Sequence, residues 1–216
     1  MRLMFTDPAI YKGGKAVFLD RDGVINQRIV GGYVCRWEEF RFSPDALLAV
    51  RILSKLELPI IVVSNQAGVA KGLIRNEDLW DLTMAFQEAI SDSGGRIDGV
   101  YYCLHHPDER CACRKPGSGM LLQAASEWNL SLSECFMVGD ADTDILAGAS
   151  VGCETILVSE CAELPERIQN CGCVAAKDFL AACKFVTNRI EGEQFLDRAK
   201  DFSPFCFDDQ SERVPG

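Results

Sequence analysis

No stretch of this chain stays apolar for the roughly 18 to 20 residues that a membrane-spanning helix requires. The opening residues Met1-Arg2-Leu3-Met4-Phe5-Thr6-Asp7 also lack the long apolar region of a secretory signal. The expectation is therefore a cytosolic protein with no membrane partner. Positive charge is scarce as well: 22 Lys and Arg against 32 Asp and Glu give a formal charge of −10. Such a surface repels nucleic acid and anionic lipid, which leaves a small soluble molecule as the expected partner. Internal repeats and low-complexity linkers are missing too. At 216 residues the chain suits one domain burying about 70% of its unfolded surface. A monomeric single domain over 1–216 is expected, with a catalytic core of about 14–160 and a C-terminal extension of about 161–216.

Cysteine, by contrast, is abundant. Eleven is a large and odd number, and without a leader it points to thiols or metal rather than to a disulfide framework. Apolar runs at Ala16 to Leu19, Pro59 to Val63, Val100 to Leu104, Cys135 to Val138 and Thr155 to Val158 alternate with helix-length segments of mixed polarity. The expected helices are Pro44 to Leu56 with Ser43 as N-cap, Asn76 to Ser91, Gly119 to Trp128 and Thr143 to Ala149. Strands alternating with helices imply an α/β fold with a doubly wound parallel sheet and right-handed crossovers. Beyond Cys161 the pattern weakens to a short edge strand at Cys173 to Ala176, a packing helix from Lys177 to Arg189 and a polar tail from Asp201 to Gly216.

The first expected strand delivers Asp20-Arg21-Asp22-Gly23 at its carboxyl end. Side chains alternate along a strand, so the two aspartates leave toward one side, where open α/β sheets place their ligands. Gly23 permits a sharp turn. The pair suits a nucleophile or metal ligand with a proton carrier beside it; an ordinary polar turn reads equally well from this segment alone. Three further segments bear on the choice. Ile60 to Val63 ends in Ser64-Asn65-Gln66, whose hydroxyl and amides suit either phosphate oxygens or a turn. Arg114-Lys115-Pro116 places two cations in an extended loop. Val138-Gly139-Asp140-Ala141-Asp142-Thr143-Asp144 groups three acids at a strand-to-helix junction, where N-capping is the plain role for Asp142 and Asp144.

Between the third of these strands and the lysine lies Cys103-Leu104-His105-His106-Pro107-Asp108-Glu109-Arg110-Cys111-Ala112-Cys113. Cys-x-His followed by Cys-x-Cys is a zinc signature. Three thiolates and one imidazole close a tetrahedral structural site with no open position. Free core cysteines would not put four soft ligands within so short a segment.

Taken together, Asp20-Arg21-Asp22-Gly23-Val24, Ser64, Lys115 and Asp140 resemble, in order, the four motifs of the haloacid dehalogenase-like phosphatases. The resemblance spans residues 16 to 158. It implies a Rossmann-like core without a large cap domain and with a zinc-stapled loop. It implies that Asp20 attacks phosphorus to form an aspartyl-phosphate, that Asp22 protonates the leaving alkoxide and then activates water, and that Lys115 neutralises the phosphate. Mg²⁺ would be held by the carboxylates of Asp20 and Asp140 and the backbone carbonyl of Asp22, with Asp144 in the outer shell. Arg21, Asp22, Asn26, Ser64, Asn65, Gln66, Arg114 and Lys115 are the implied substrate contacts. The zinc set becomes Cys103, His105, Cys111 and Cys113, with His106 left to a solvent role.

Gly32-Tyr33-Val34, Ser64 to Gly72, Asp98 to Cys103 and Gly117-Ser118-Gly119-Met120 resemble the histidinol-phosphatase-related subgroup. The substrate implied is a sugar bisphosphate. Short loops, Asn26 to Trp37 and the zinc loop, must then shape the pocket, and Arg114 or Lys71 can meet a second phosphate. The close spacing of Cys103 and Cys111 does not discriminate within the subgroup, and Ala141 stands where some members carry lysine. Histidinol phosphate is the alternative substrate. A polynucleotide 3′-phosphatase or a non-catalytic zinc-stapled binding protein fits the sequence less well.

Overall fold

A computed structural model describes residues 1–161 and 163–201, with the side chains of 193–201 excepted. The expected tail from Asp201 onward, with its Cys206, therefore lies almost wholly outside the described residues. Seven strands form one sheet: β1 (Arg2–Met4), β2 (Val17–Leu19), β3 (Ile60–Asn65), β4 (Gly99–Cys103), β5 (Phe136–Gly139), β6 (Glu154–Val158) and β7 (Val174–Ala176). Their spatial order is β1-β4-β3-β2-β5-β6-β7. Every pairing is parallel except β1 with β4, which is antiparallel. The three-residue β1 is too short to show a period of two in the sequence, so only its pairing with β4 marks it as an edge strand.

Among the described residues five α-helices cover the sheet: α1 (Ala46–Leu53), α2 (Asn76–Asp92), α3 (Gly119–Trp128), α4 (Asp142–Ala149) and α5 (Phe179–Asp201). Side-chain alternation divides the interior in two. Val17 and Leu19 enter one core with Leu53, Leu79, Phe86, Ile90 and Val186, whereas Ala16 and Phe18 enter the other with Met120, Leu121, Ala124 and Trp128. Helices α1, α2 and α5 thus lie on one face and α3 on the other, as the doubly wound reading requires. Both faces of the central strands are buried, so β2, β3 and β4 read as continuous apolar runs.

Several boundaries depart from the sequence reading: α1 ends at Leu53 rather than Leu56, and α5 begins at Phe179 rather than Lys177. The N-cap of α1 is Asp45, in a left-handed conformation with φ 57° and no capping side chain. Ser43 does not cap α1; its carbonyl accepts from the Ala46 amide in a turn. Helix α5 also continues past Arg189 to Asp201. Its Ala182, Cys183 and Val186 join the larger core, and β7 pairs with β6, so residues 174–190 pack as part of the domain.

Candidate active site

Strands β2 and β5 are neighbours in the sheet although β3 and β4 lie between them in the chain. Here the winding reverses, and a crevice opens beyond the carboxyl ends of the strands. Leu19 pairs with Val138, and the Asp20 amide continues the ladder to the Val138 carbonyl at 2.9 Å. Asp20 and Asp140 therefore emerge side by side. Gly23 folds the chain back beneath them with φ +96°, and a Cβ there would come within 2.0 Å of Asp140 Oδ2. Only glycine satisfies both the backbone and the close approach. Gly139 has the same role toward α4, since its Cβ would meet that of Asp144 at 2.2 Å.

Lys115 binds the acids together. Its ammonium lies 2.8 Å from Asp20 Oδ1 and 2.6 Å from Asp144 Oδ1, and donates to the Val63 carbonyl at 2.8 Å. Burial disfavours the charged lysine, but Asp144 and Asp20 outweigh it and hold its pKa above the ordinary value. Asp144 Oδ2 also accepts from the Ala141 amide at 3.1 Å, so both its oxygens have partners. Ligand atoms of Asp20, Asp140 and Asp144 lie within 4.8 Å of one another. Three carboxylates face one buried ammonium, with only the exposed Arg28 reaching Asp140 from the rim, so negative charge is in excess. Burial, Asp20 and Asp144 together push Asp140 up to about 7. Burial and Asp20 push Asp144 up to about 6 against the pull of Lys115. A divalent cation with oxygen ligands suits this centre. Asp142 takes no part: it opens α4 and pairs with Arg167.

Asp22 occupies a different setting. Arg21 Nη2 donates to both its oxygens at 3.0 and 2.9 Å, Asn26 Nδ2 to Oδ1 at 2.9 Å and Gln66 Nε2 to Oδ2 at 2.8 Å. Burial alone would raise its pKa, but the Arg21 charge and these hydrogen bonds prevail and hold the carboxyl below its usual range. The same geometry turns the side chains of three expected substrate contacts away from the cavity. Arg21 is 1% exposed and lies over the Tyr102 ring; Asn26 and Gln66 are equally buried. None of the three lines the cavity. They stand behind Asp22: the tight turn through Gly23 folds Arg21 and Asn26 inward, and Gln66 reaches Asp22 from the end of β3. Asn65 does line the cavity, yet its amide is paired with the Lys115 backbone in both directions at 3.0 Å. It anchors the lysine loop rather than facing only a phosphate.

The cavity above these groups has a volume of about 610 Å³. Asp20, Asp22, Ser64, Asn65, Arg114, Lys115 and Asp140 line it, as expected, together with the 28–34 loop, Lys71 and Thr143. Arg28, whose Nη1 lies 3.4 Å from Asp140 Oδ2, was not legible in the sequence. An exposed arginine in a loop carries no signal of its own; only the fold brings it over the aspartates. Lys71 lies over the Tyr33 ring at the same rim.

Beside this crevice, β4 runs directly into a second cluster. Sγ···Sγ separations among Cys103, Cys111 and Cys113 are 3.4 to 3.6 Å, and His105 Nδ1 lies 3.1 Å from Cys113 and 3.6 Å from Cys103. A tetrahedron with metal–sulfur bonds of about 2.3 Å has edges of roughly 3.8 Å, so these four atoms can hold a metal ion. Burial pushes the Cys103 thiol up to about 12, whereas hydrogen bonds from Cys113, Cys103 and the Arg114 amide outweigh burial at Cys111 and bring it down to about 7. His106 caps the turn that follows, accepting from the Asp108 amide at 3.3 Å. The loop is packed onto the lysine segment: a Cβ at Gly117 would meet the Ala112 carbonyl at 2.4 Å.

Fold and site together place the chain in the class of haloacid dehalogenase-like hydrolases, and residues 112–179 match the family described as HAD-hyrolase-like. The D-glycero-beta-D-manno-heptose-1,7-bisphosphate 7-phosphatase of Helicobacter pylori is 41% identical over 135 residues, which cover 62% of this chain and 77% of that protein. The protein of the same name from Yersinia pestis is 38% identical over 151 residues, covering 66% and 79%. The crystal structure of D,D-heptose 1,7-bisphosphate phosphatase from B. bronchiseptica, complexed with magnesium and phosphate, superposes with a TM-score of 0.73 at 30% identity, covering 81% of this chain and 99% of that one. The chain belongs to the heptose-1,7-bisphosphate 7-phosphatase family.

Proposed function

We propose that this protein removes the C7 phosphate of D-glycero-D-manno-heptose 1,7-bisphosphate through an aspartyl-phosphate on Asp20, as a step of nucleotide-activated heptose biosynthesis. The observation that carries this reading is the juxtaposition of Asp20 with Lys115, Asp140 and Asp144 at the floor of an open polar cavity. Family membership supplies the substrate. The Lys115 contact fixes Asp20 in one orientation, with an oxygen free for phosphorus, which is the positioning that phosphoryl transfer needs. Mg²⁺ fits the charge deficit of the centre. The carboxylates of Asp20 and Asp140 and the carbonyl of Asp22 would hold it, with Asp144 behind, and it would supply positive charge to the phosphoryl oxygens.

Asp20 attacks as the ester P–O bond breaks, and Asp22 gives a proton to the departing alkoxide. Asp22 then takes a proton from the water that cleaves the acyl phosphate. Because the resting carboxyl is held low by Arg21, Asn26 and Gln66, its proton must be taken up as the anionic phosphate binds beside it. Ser64 and Lys115 stabilise the transferring group. Arg114, whose Nη1 is buried without a partner, and Lys71 at the rim suit the second phosphate of the bisphosphate. Cys103, His105, Cys111 and Cys113 would hold a structural Zn²⁺ with no open position, stapling the loop that presents Arg114 and Lys115. Assay of the protein with heptose 1,7-bisphosphate and histidinol phosphate side by side tests the substrate. Preference for histidinol phosphate would overturn it, and near-normal turnover by Asp20→Asn would overturn the mechanism.

A further inference from the structure

Three side chains leave the end of β3 in succession, and each serves a different part of the site. Ser64 lines the cavity, Asn65 anchors the Lys115 backbone, and Gln66 turns away from the cavity altogether. Gln66 is 2% exposed. Its Nε2 lies 2.8 Å from Asp22 Oδ2 and 3.1 Å from Ser64 Oγ. The amide's orientation is dictated by its neighbour, since turning it over would set Oε1 against a carboxylate. One amide hydrogen therefore reaches Asp22 and the other reaches Ser64. The bond into Ser64 Oγ occupies a lone pair of the hydroxyl. Its single proton is left to point elsewhere, and the open side is the cavity.

We propose that Gln66 is the positioning residue that aims Asp22 at the leaving oxygen while turning the Ser64 hydroxyl toward the phosphoryl group. One amide thus sets the acid/base group in register with the bound phosphate. Arg21 donates to both oxygens and Asn26 to Oδ1, so Gln66 supplies the second donor on Oδ2 and fixes the plane in which the carboxyl meets the cavity. The proposal rests on the reading of Asp22 as acid and base.

The chemistry provides a readout that simple structural damage would not reproduce. In the first step the bond between phosphorus and the ester oxygen breaks as the bond to Asp20 forms. The electron pair of the broken bond stays on the leaving oxygen. An alkoxide must receive the Asp22 proton, whereas p-nitrophenolate departs as the anion without it. Misdirecting Asp22 should therefore slow alkyl ester cleavage selectively, and kcat/KM reports the steps up to that bond break. For Gln66→Met, similar in shape but unable to donate, kcat/KM on heptose 1,7-bisphosphate should fall on the order of 10²-fold, and on p-nitrophenyl phosphate by less than about tenfold. Equal losses on both esters, or no loss on either, would overturn the proposal.

Should Gln66→Met not give a native circular dichroism spectrum, Gln66→Asn keeps a buried amide but draws it back from Asp22 by one carbon. The same split between esters is expected there, and its absence counts equally against the assignment. If the unaltered protein does not hydrolyse heptose bisphosphate, that outcome strikes the substrate reading alone. The split is then measured with an alkyl phosphate that the protein does cleave.

Discussion

Lys115 shows how one side chain holds several motifs together. Its ammonium touches the end of β3, the carboxylate beyond β2 and Asp144 in the first turn of α4, so a lysine distant in sequence from all three fixes their mutual spacing. Gly23 works in the opposite way, through what it lacks. With φ +96° and Asp140 Oδ2 at 2.0 Å from the place a Cβ would take, Gly23→Ala should strain the turn by about 1 to 3 kcal/mol and displace Asp140. Mg²⁺ affinity measured by calorimetry is expected to fall with it, and unchanged affinity would contradict the packing argument. Among the residues implied by resemblance, Ser64, Asn65, Arg114, Lys115 and Asp22 do line the cavity, whereas Arg21, Asn26 and Gln66 do not. Motif spacing carries no information on that distinction, because a buried hydrogen-bond partner and a ligand contact can be adjacent in the same turn.

At the scale of elements, the loop from Cys103 to Cys113 joins the sheet to the lysine. Its first cysteine pairs with Asn65 across β4 and β3, and Asn65 in turn holds the Lys115 backbone. Loss of metal should therefore reach Lys115 through the backbone. Elemental analysis of the purified protein should show about one equivalent of zinc, and Cys111→Ser should lose it together with at least tenfold in kcat. Full activity in a zinc-free variant would separate the loop from the site. The βα alternation was legible because a strand buried on both faces is apolar throughout and a helix is not. Strand β1 and the start of α1 were not. The former depends on pairing with β4, and the latter on a left-handed Asp45 that no local composition requires.

For the molecule as a whole, charge and folding are linked through the aspartate centre. Without a cation, burial and neighbouring acids raise Asp140 to about 7 and Asp144 to about 6, both above the unfolded value of about 3.9. The stability these groups contribute is present at low pH and is lost as pH rises through those values. A bound divalent cation removes the penalty. The rise in Tm on adding Mg²⁺ should accordingly be small near about pH 5.5 and larger near about pH 8, and a shift independent of pH would refute the linkage. No helix among the described residues is long and apolar enough to cross a membrane. The sequence by itself determined the alternation of strands and helices from β2 onward, the zinc-type cysteine spacing and the identity of the acids and the lysine, because each of these is written in local pattern. Tertiary structure alone decided which polar residues face the cavity and which stand behind Asp22, since that depends on side-chain direction in turns brought together at the reversal between β2 and β5. The aspartate pair is therefore read in sequence as chemistry and in structure as two environments: Asp20 beside a lysine, and Asp22 within a buried ring of donors.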